Sequence, residues 1–234
     1  MENTTLTPAM IAFLIAMISV AGGFIAYHFM AEARKAPANA DDATQTKTVF
    51  MKRWIGVLFL GVVPAVLTLV FTDKSMLDLG MGFQNFGTSL LWSLGLGAVA
   101  AFVNSQNAKK ADNLAMYPEV RAKEWNKQLV FSSAFTWSAY LFAYEFLFRG
   151  VLWFCTYPVL GLIPAIALNC ALYALVHVPK GIKETIGAIP LGIILCVLTY
   201  QTGTIWIAFL VHIALALSNE WFSLKYHPEI KIKS

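Results

Sequence analysis

Long apolar runs alternate with two polar stretches along the chain, and this pattern predicts membrane-spanning helices. A helix needs roughly 20 apolar residues to cross about 30 Å of hydrocarbon. Seven apolar runs approach or exceed that length, and they cover residues 9–28, 54–72, 88–104, 129–157, 159–178, 185–201 and 204–222. The pattern therefore predicts an all-α, polytopic membrane helix bundle with about seven transmembrane helices.

The fourth run, residues 129–157, is too long for one straight crossing. We therefore expect residues 129–137 to lie along the cytoplasmic interface and the crossing to begin near Trp137 or Ser138. With a rise of 1.5 Å per residue, Glu145 would then lie about 10 Å below the membrane surface.

Two polar stretches, residues 31–53 and 104–128, interrupt the apolar pattern. Both are short and rich in Ala, Asn, Asp and Lys, which predicts loops, the second with a possible interfacial helix. Neither is long enough for a second domain. We expect a single membrane domain over residues 1–234, with three spans and their loops in 9–128 and a motif-bearing core in 129–222.

The composition agrees with a membrane protein, because 58% of the 234 residues are hydrophobic and only 13% are charged. The net charge of +4 is modest, and no basic stripe indicates a nucleic-acid partner. Three cysteines lie inside apolar runs, which argues against a disulfide framework or a zinc knuckle. The first run follows a leader without basic residues, so we expect a retained helix rather than a cleaved signal peptide.

The basic residues are distributed unevenly between the two sides of the predicted bundle. Fifteen of the 17 Lys and Arg residues lie in the segments after the first, third, fifth and seventh runs. Cytoplasmic segments of membrane proteins carry an excess of Lys and Arg. We therefore expect an integral multi-pass protein of the bilayer with its N-terminus outside and its C-terminus in the cytoplasm.

Four ionisable residues are expected at bilayer depth: Glu145, Arg149, His177 and His212. A charged side chain at the centre of the bilayer costs roughly 2.5 to 3.5 kcal/mol on insertion scales, so such residues usually face the bundle interior and have a function there. An alternative is structural, because Glu145 and Arg149 are spaced for an ion pair within one helix. Each histidine alone is equally consistent with a hydrogen-bonded packing role.

Further polar residues share helical faces with the histidines. Asn169 and Tyr173 precede His177 at intervals of four residues, and Asn219 follows His212 by seven. Three helices thus present polar stripes that can close around one hydrated pocket in the cytoplasmic half of the bilayer. Other polar residues lie near the ends of predicted helices, where interfacial solvation explains them: Tyr200, Gln201 and Glu220.

The order and spacing of these residues resemble the motifs of a known family, the CPBP group of intramembrane endopeptidases. That group includes relatives of the type II CAAX prenyl proteases and bacteriocin self-immunity proteins. Its motifs are Glu-Glu-x-x-x-Arg, Phe-x-x-x-His and His-x-x-x-Asn, and the resemblance covers residues from about 130 to 222. The counterparts in this chain are Tyr144-Glu145 with Arg149-Gly150, Tyr173 with His177, and His212 with Ala216.

Two positions depart from the family pattern. Tyr144 stands where the family has the first Glu of its pair, which is usually taken as the residue that activates water. Ala216 stands where the third motif has Asn, and Asn219 lies one turn further along a similar face. The chain keeps the second Glu, the Arg and both His of the motifs.

The resemblance implies an intramembrane endopeptidase that hydrolyses a peptide bond near the cytoplasmic half of the membrane. On that expectation Glu145 activates a water together with His177, and His212 stabilises the oxyanion. Arg149 orients the carboxylate. The supporting residues expected around them are Tyr144, Tyr173, Asn169 and Asn219. The expected partners are a peptide or membrane-protein substrate and the lipid of a bacterial cytoplasmic membrane.

Two other functions fit parts of the pattern. The changes at Tyr144 and Ala216 favour a catalytically degenerate relative that acts as a membrane binding or bacteriocin-immunity protein. A small proton-coupled transporter is a further alternative, although the chain lacks repeated halves. We expect no cofactor and no metal, but zinc stays open, because Glu145, His177 and His212 are acceptable ligand types.

Overall fold

The structure is a computed structural model that describes residues 6–37 and 39–233. Helices dominate, which confirms the predicted all-α class. The α-helices are α1 (Pro8–Glu32), α2 (Asp42–Gly56), α3 (Val63–Phe71), α4 (Phe86–Asn107), α5 (Ala111–Met116), α6 (Lys127–Glu145), α7 (Trp153–Leu160), α8 (Leu162–Leu175), α9 (Ile182–Thr202) and α10 (Trp206–Tyr226). Two two-residue strands, β1 (Glu124–Trp125) and β2 (Lys231–Ile232), pair in parallel.

Within the described residues, five helical segments are long and apolar enough to cross a membrane, and the chain is a membrane helix bundle. They are Pro8–Glu32, Asp42–Phe71, Leu77–Asn107, Ile182–Thr202 and Trp206–Tyr226. The segments from Asp42 and Leu77 each contain a π-helical stretch, Val57–Val62 and Leu77–Met81. The predicted total of seven crossings depends on α6 to α8 and stays a prediction.

The polar stretch 31–53 was expected to be a loop, and this expectation is wrong for its second half. Helix α2 begins at Asp42, where Asp41 caps the helix by accepting a 2.7 Å hydrogen bond from the Thr44 amide. Its polar sequence is helical because it packs against α6. The second polar stretch contains the short helix α5 within an otherwise irregular segment.

Helix α6 runs without interruption from Lys127 to Glu145, so residues 129–137 form no helix of their own, and the start of the crossing near Trp137 stays a prediction. Asn126 caps its first turn, and Ser133, Thr136 and Trp137 are buried against neighbouring segments. At 1.5 Å per residue, Glu145 lies about 27 Å along the axis from Lys127. Helix α6, which forms the first part of the fourth run, packs beside α2 and α10.

Helix α8 is shorter than its apolar run suggested. Its 14 residues span about 20 Å, less than the hydrocarbon thickness, and a short 3₁₀ turn at Val178–Lys180 follows. His177 therefore lies just beyond the C-terminal end of α8, where the backbone turns towards α9.

A π-helical stretch, Phe146–Leu152, joins α6 to α7, and all seven of its residues are buried. A π-helix shifts the backbone hydrogen bonds to residues five apart and changes the directions of the side chains that follow. Asn169 on α8 donates a 2.8 Å hydrogen bond from Nδ2 to the carbonyl oxygen of Phe148 in this stretch. The stretch carries Arg149 and places it against α8 and α9.

Candidate active site

Glu145 and Arg149 form a fully buried ion pair at the junction of α6 and the π-helical stretch. The distance between Glu145 Oε2 and Arg149 Nη1 is 3.1 Å, and neither side chain is exposed. The guanidinium carbon of Arg149 also lies 4.0 Å from the centre of the Tyr173 ring, in a cation–π contact. A Cβ on Gly192 of α9 would come 3.8 Å from Arg149 Nη2, so α9 closes the other side of the guanidinium.

His212 on α10 contacts the other oxygen of the same carboxylate. Its Nδ1 lies 2.6 Å from Glu145 Oε1, and its side chain is 11% exposed. The Tyr173 hydroxyl donates a longer hydrogen bond, 3.4 Å, to the same oxygen. The carboxylate of Glu145 is therefore held by groups from the π-helical stretch, α8 and α10 at once.

His177 lies in the same cluster but does not hydrogen-bond to Glu145. Its Nδ1 is 2.6 Å from the backbone oxygen of Tyr173 and 3.4 Å from the Tyr144 hydroxyl. A carbonyl oxygen only accepts, so Nδ1 of His177 carries the proton in this contact.

Tyr144 lies between the two histidines and is buried. Its ring centre is 6.0 Å from that of His177 and 5.6 Å from that of His212, nearly perpendicular to both. Tyr144 also contacts the ring of Tyr173 at 5.6 Å and that of Phe24 on α1 at 5.9 Å. Tyr144 thus contacts both histidines and Tyr173.

The remaining residues expected at the site differ in their placement. Asn169 is buried and contacts the π-helical stretch rather than the histidines or the carboxylate. Asn219 makes no hydrogen bond to the cluster among the described residues, and its Oδ1 is buried without a partner there. Ala216 packs in an apolar group with Tyr117 and Trp137.

A second buried charged group, which the sequence reasoning missed, lies among α2, α6, the segment after α5 and the end of α10. Arg53 donates hydrogen bonds from Nη1 to the Ser133 carbonyl at 2.9 Å and from Nη2 to Glu119 Oε2 at 3.2 Å. Glu220 accepts a 2.6 Å hydrogen bond from the Ser133 hydroxyl and lies 3.6 Å from Arg53.

The expectation that interfacial water solvates Glu220 is therefore wrong, because its side chain is fully buried. The signal was present in the sequence. Glu220 follows His212 by eight residues, so it shares the inward face of α10. The burial of Arg53 has no comparable signal in the sequence, since Arg53 ends a polar stretch whose composition predicts a loop.

Glu119 joins this second group to the connection between α8 and α9. Lys180 Nζ lies 2.6 Å from Glu119 Oε1, three residues after His177. Burial alone would raise the pKa of the Glu119 carboxyl, but the cations of Lys180 and Arg53 hold it well below its usual range. The Tyr117 hydroxyl donates a 2.9 Å hydrogen bond to Glu184, and Lys183 pairs with Asp112, which add two further links across the same junction.

The lowered pKa of Glu119 predicts a specific pH dependence of stability. A carboxyl whose folded pKa is depressed stabilises the fold fully above its unfolded pKa of about 4.3 and loses that contribution as the pH falls towards the folded value. We expect Glu119→Gln to lower the free energy of unfolding by about 2 kcal/mol at pH 7, and by the same amount at pH 6. The difference from wild type should shrink below about pH 4.

Detergent-solubilised protein unfolded with a denaturant at each pH measures this difference. Glu124→Gln, which changes an exposed carboxylate paired with Lys233 at 2.5 Å, is the matched control and should change stability by less than about 1 kcal/mol. A Glu119→Gln difference that grows on acidification would contradict the assignment.

The donor set of the first cluster does not fit a zinc site well. No group of three or more His, Cys, Asp or Glu side chains is arranged to hold a metal ion in the part of the chain that the structure describes. Both oxygens of Glu145 already face other groups, and one of these is the cation of Arg149. We therefore derive no step through a metal.

Two surface grooves lie away from the cluster. One, of about 640 Å³, is lined by α2 and by residues 122–129, and the other, of about 400 Å³, is lined by α6, Trp221 and β2. None of the cluster residues lines either groove. A peptide would have to reach the cluster between the helices, where the edges of His177 and His212 are partly exposed.

The fold and the cluster together define a class: a polytopic α-helical membrane protein with a buried Glu–Arg pair and two histidines on three converging segments. Residues 117–218 match the family model described as Type II CAAX prenyl endopeptidase Rce1-like. This part of the chain contains Glu145, Arg149, His177 and His212, and it is similar to that family. Comparisons with curated proteins and with solved structures found no match.

Proposed function

We propose that the chain is an intramembrane endopeptidase that hydrolyses a peptide bond in the cytoplasmic half of the membrane. The observation that carries this proposal is the contact between Glu145 on α6 and His212 on α10, with His177 adjacent across Tyr144. All of these residues lie within the segment that matches the endopeptidase family. The substrate class is a peptide or a membrane protein.

Hydrolysis of an amide needs a group that takes a proton from water, a donor for the developing oxyanion and a proton for the leaving amine. The cluster contains a carboxylate, two imidazoles and two phenol hydroxyls. Glu145 and Arg149 are fully buried, and burial strengthens the electrostatic contacts of this pair. Carboxylates, imidazoles and phenols can all take part in acid–base catalysis.

The position of His177 supports a site near the basic side of the bundle. His177 lies three residues before Lys180, and Lys180 pairs with Glu119 in one of the polar segments. These segments carry most of the basic residues and are therefore the ones we expect on the cytoplasmic side. The proposed orientation has the N-terminus outside and the C-terminus in the cytoplasm.

A second candidate function is binding without cleavage. Tyr144 occupies the centre of the cluster, and a Glu145 carboxylate held by Arg149 is a poor base. A protein of this kind would act as a membrane binding or immunity factor. It would hold a peptide without changing it.

Mass spectrometry of a peptide library with apolar segments, incubated with the purified protein in detergent, separates the two functions. We expect cleavage products from wild type that disappear in Glu145→Ala and in His177→Ala. The matched control is His28→Ala, which removes an exposed histidine on α1 outside the cluster and should leave the products unchanged. Product patterns that are the same in all four proteins would remove the cluster from catalysis, and a parallel reaction with a chelator tests for a required metal.

Tyr144→Glu restores the family pattern and is the companion test. A large gain of cleavage over wild type would mean that the natural chain is catalytically impaired, which favours the binding function. Peptide retention by wild type without any product would favour it as well.

Asn169→Leu tests whether the hydrogen bond from Asn169 to the π-helical stretch stabilises the site. Leucine leaves the Phe148 carbonyl without its donor, so we expect the free energy of unfolding to fall by about 1–2 kcal/mol and the cleavage rate to fall with it. Asn104→Leu is the matched control, because Asn104 donates a 2.8 Å hydrogen bond to the Leu215 carbonyl and none to the π-helical stretch among the described residues. The control should lose similar stability but keep its cleavage rate, and equal rate losses in both variants would contradict a local role for Asn169.

A further inference from the structure

Both oxygens of the Glu145 carboxylate lie against polar or charged side chains. Oε1 lies 2.6 Å from His212 Nδ1 and accepts from the Tyr173 hydroxyl, while Oε2 lies 3.1 Å from Arg149 Nη1. The side chain is fully buried. A carboxylate that faces the cation of Arg149 is a poor base for water.

His212 is held so that its other nitrogen is available. The carboxylate beside Arg149 can only accept, so in this contact Nδ1 of His212 carries a proton. The lone pair is then on Nε2, for which the described residues provide no hydrogen-bond partner. His212 is also partly exposed, at 11%, whereas Glu145 is not exposed at all.

His177 differs from His212 in the group behind its ring. Its Nδ1 donates to a neutral backbone oxygen, that of Tyr173, rather than to a carboxylate. A carboxylate behind an imidazole stabilises the imidazolium that forms when the ring takes a proton, and a carbonyl does so less strongly. The two rings lie on either side of Tyr144, but only one of them has a charged partner.

We infer that His212 is the general base of this site and that Glu145 acts through it as a positioning residue. The inference rests on the proposed function and deepens it. It also explains how the chain hydrolyses a peptide although Tyr144 replaces the first Glu of the family motif. The carboxylate that remains orients an imidazole, and that imidazole activates the water.

Nε2 of His212 takes a proton from water as the water oxygen forms a bond to the scissile carbonyl carbon, and the carbonyl π electrons move onto its oxygen. When the tetrahedral intermediate collapses, the carbon–nitrogen bond breaks and the imidazolium returns the proton to the leaving nitrogen. The products are a carboxylic acid and an amine, and Glu145 stays ionised throughout.

The test is a comparison of His212→Asn with His212→Leu in a cleavage assay on a peptide that wild type cleaves. The Asn side-chain amide reproduces the Nδ1–H donor to Glu145 but has no nitrogen in place of Nε2. Leu removes both functions. A purely structural role for His212 is therefore rescued by Asn, whereas a role as base is not.

We expect His212→Asn to keep the thermal stability of wild type and to lower kcat by about 10²–10⁴-fold, with KM changed by less than about threefold. His212→Leu should lose both stability and activity. A kcat for His212→Asn within about tenfold of wild type would overturn the inference. Failure of wild type to cleave any peptide would instead overturn the proposed function, so the two failures are distinguishable.

Discussion

Arg149→Leu is expected to lower the free energy of unfolding by about 3–5 kcal/mol. The side chain is fully buried, and its loss leaves the Glu145 carboxylate in the bundle interior with only His212 and Tyr173 as partners. Removal of one member of a buried ion pair costs more than the pair contributes, because the remaining charge is uncompensated. Denaturant unfolding of the detergent-solubilised protein measures the effect.

The control for this prediction is the double variant Glu145→Gln with Arg149→Leu. Because it carries no uncompensated charge, we expect it to be more stable than Arg149→Leu alone by about 2 kcal/mol or more. Equal stability of the single and double variants would show that Arg149 acts through packing against Tyr173 rather than through its charge.

Glu145→Gln is expected to lower kcat by about 10²–10⁴-fold, with a much smaller change in KM. The amide keeps the shape of the carboxylate, but it cannot stabilise an imidazolium at His212 and does not hold the ring in one tautomer. Cleavage under single-turnover conditions, at a temperature where the variant is folded, measures the chemical step. Glu124→Gln changes an exposed carboxylate in the same way and should leave the rate within about threefold of wild type. A Glu145→Gln rate as high as that of Glu124→Gln would contradict the role of the carboxylate.

The helices that the sequence predicted well are those in which hydrophobicity alone decides the structure. Helices α1, α4, α9 and α10 coincide with uninterrupted apolar runs, because a spanning segment must satisfy its backbone hydrogen bonds internally. The first half of α2 was missed since its residues are polar and become helical against α6. Its stability depends on contacts that only the tertiary structure provides.

The buried ion pair could be predicted from the sequence, but its surroundings could not. Glu145 and Arg149 are spaced four residues apart, which allows an intrahelical pair, and the structure contains that pair at 3.1 Å. The π-helical stretch that carries Arg149 has no signature in the apolar pattern. Neither the position of Tyr144 between two histidines nor the contact of His212 with the carboxylate follows from spacing along separate helices.

The second charged group also could not be predicted from the sequence, because its members are far apart along the chain. Arg53, Glu119 and Glu220 lie far apart in the sequence and meet only after α2, α6 and α10 have packed. Each residue alone resembles an ordinary residue of a loop or a helix end. A buried charge is costly unless it is paired, and here each partner comes from another segment of the fold.

The most direct test of the account is a double-mutant cycle on the cleavage rate. It compares wild type, Glu145→Gln, His212→Asn and the variant that carries both changes, all assayed with one peptide under single-turnover conditions. Residues that act as a unit are strongly non-additive, so we predict that the double variant cleaves within about threefold of the slower single variant. Multiplicative losses in the double variant would contradict the claim that Glu145 and His212 work as one catalytic group.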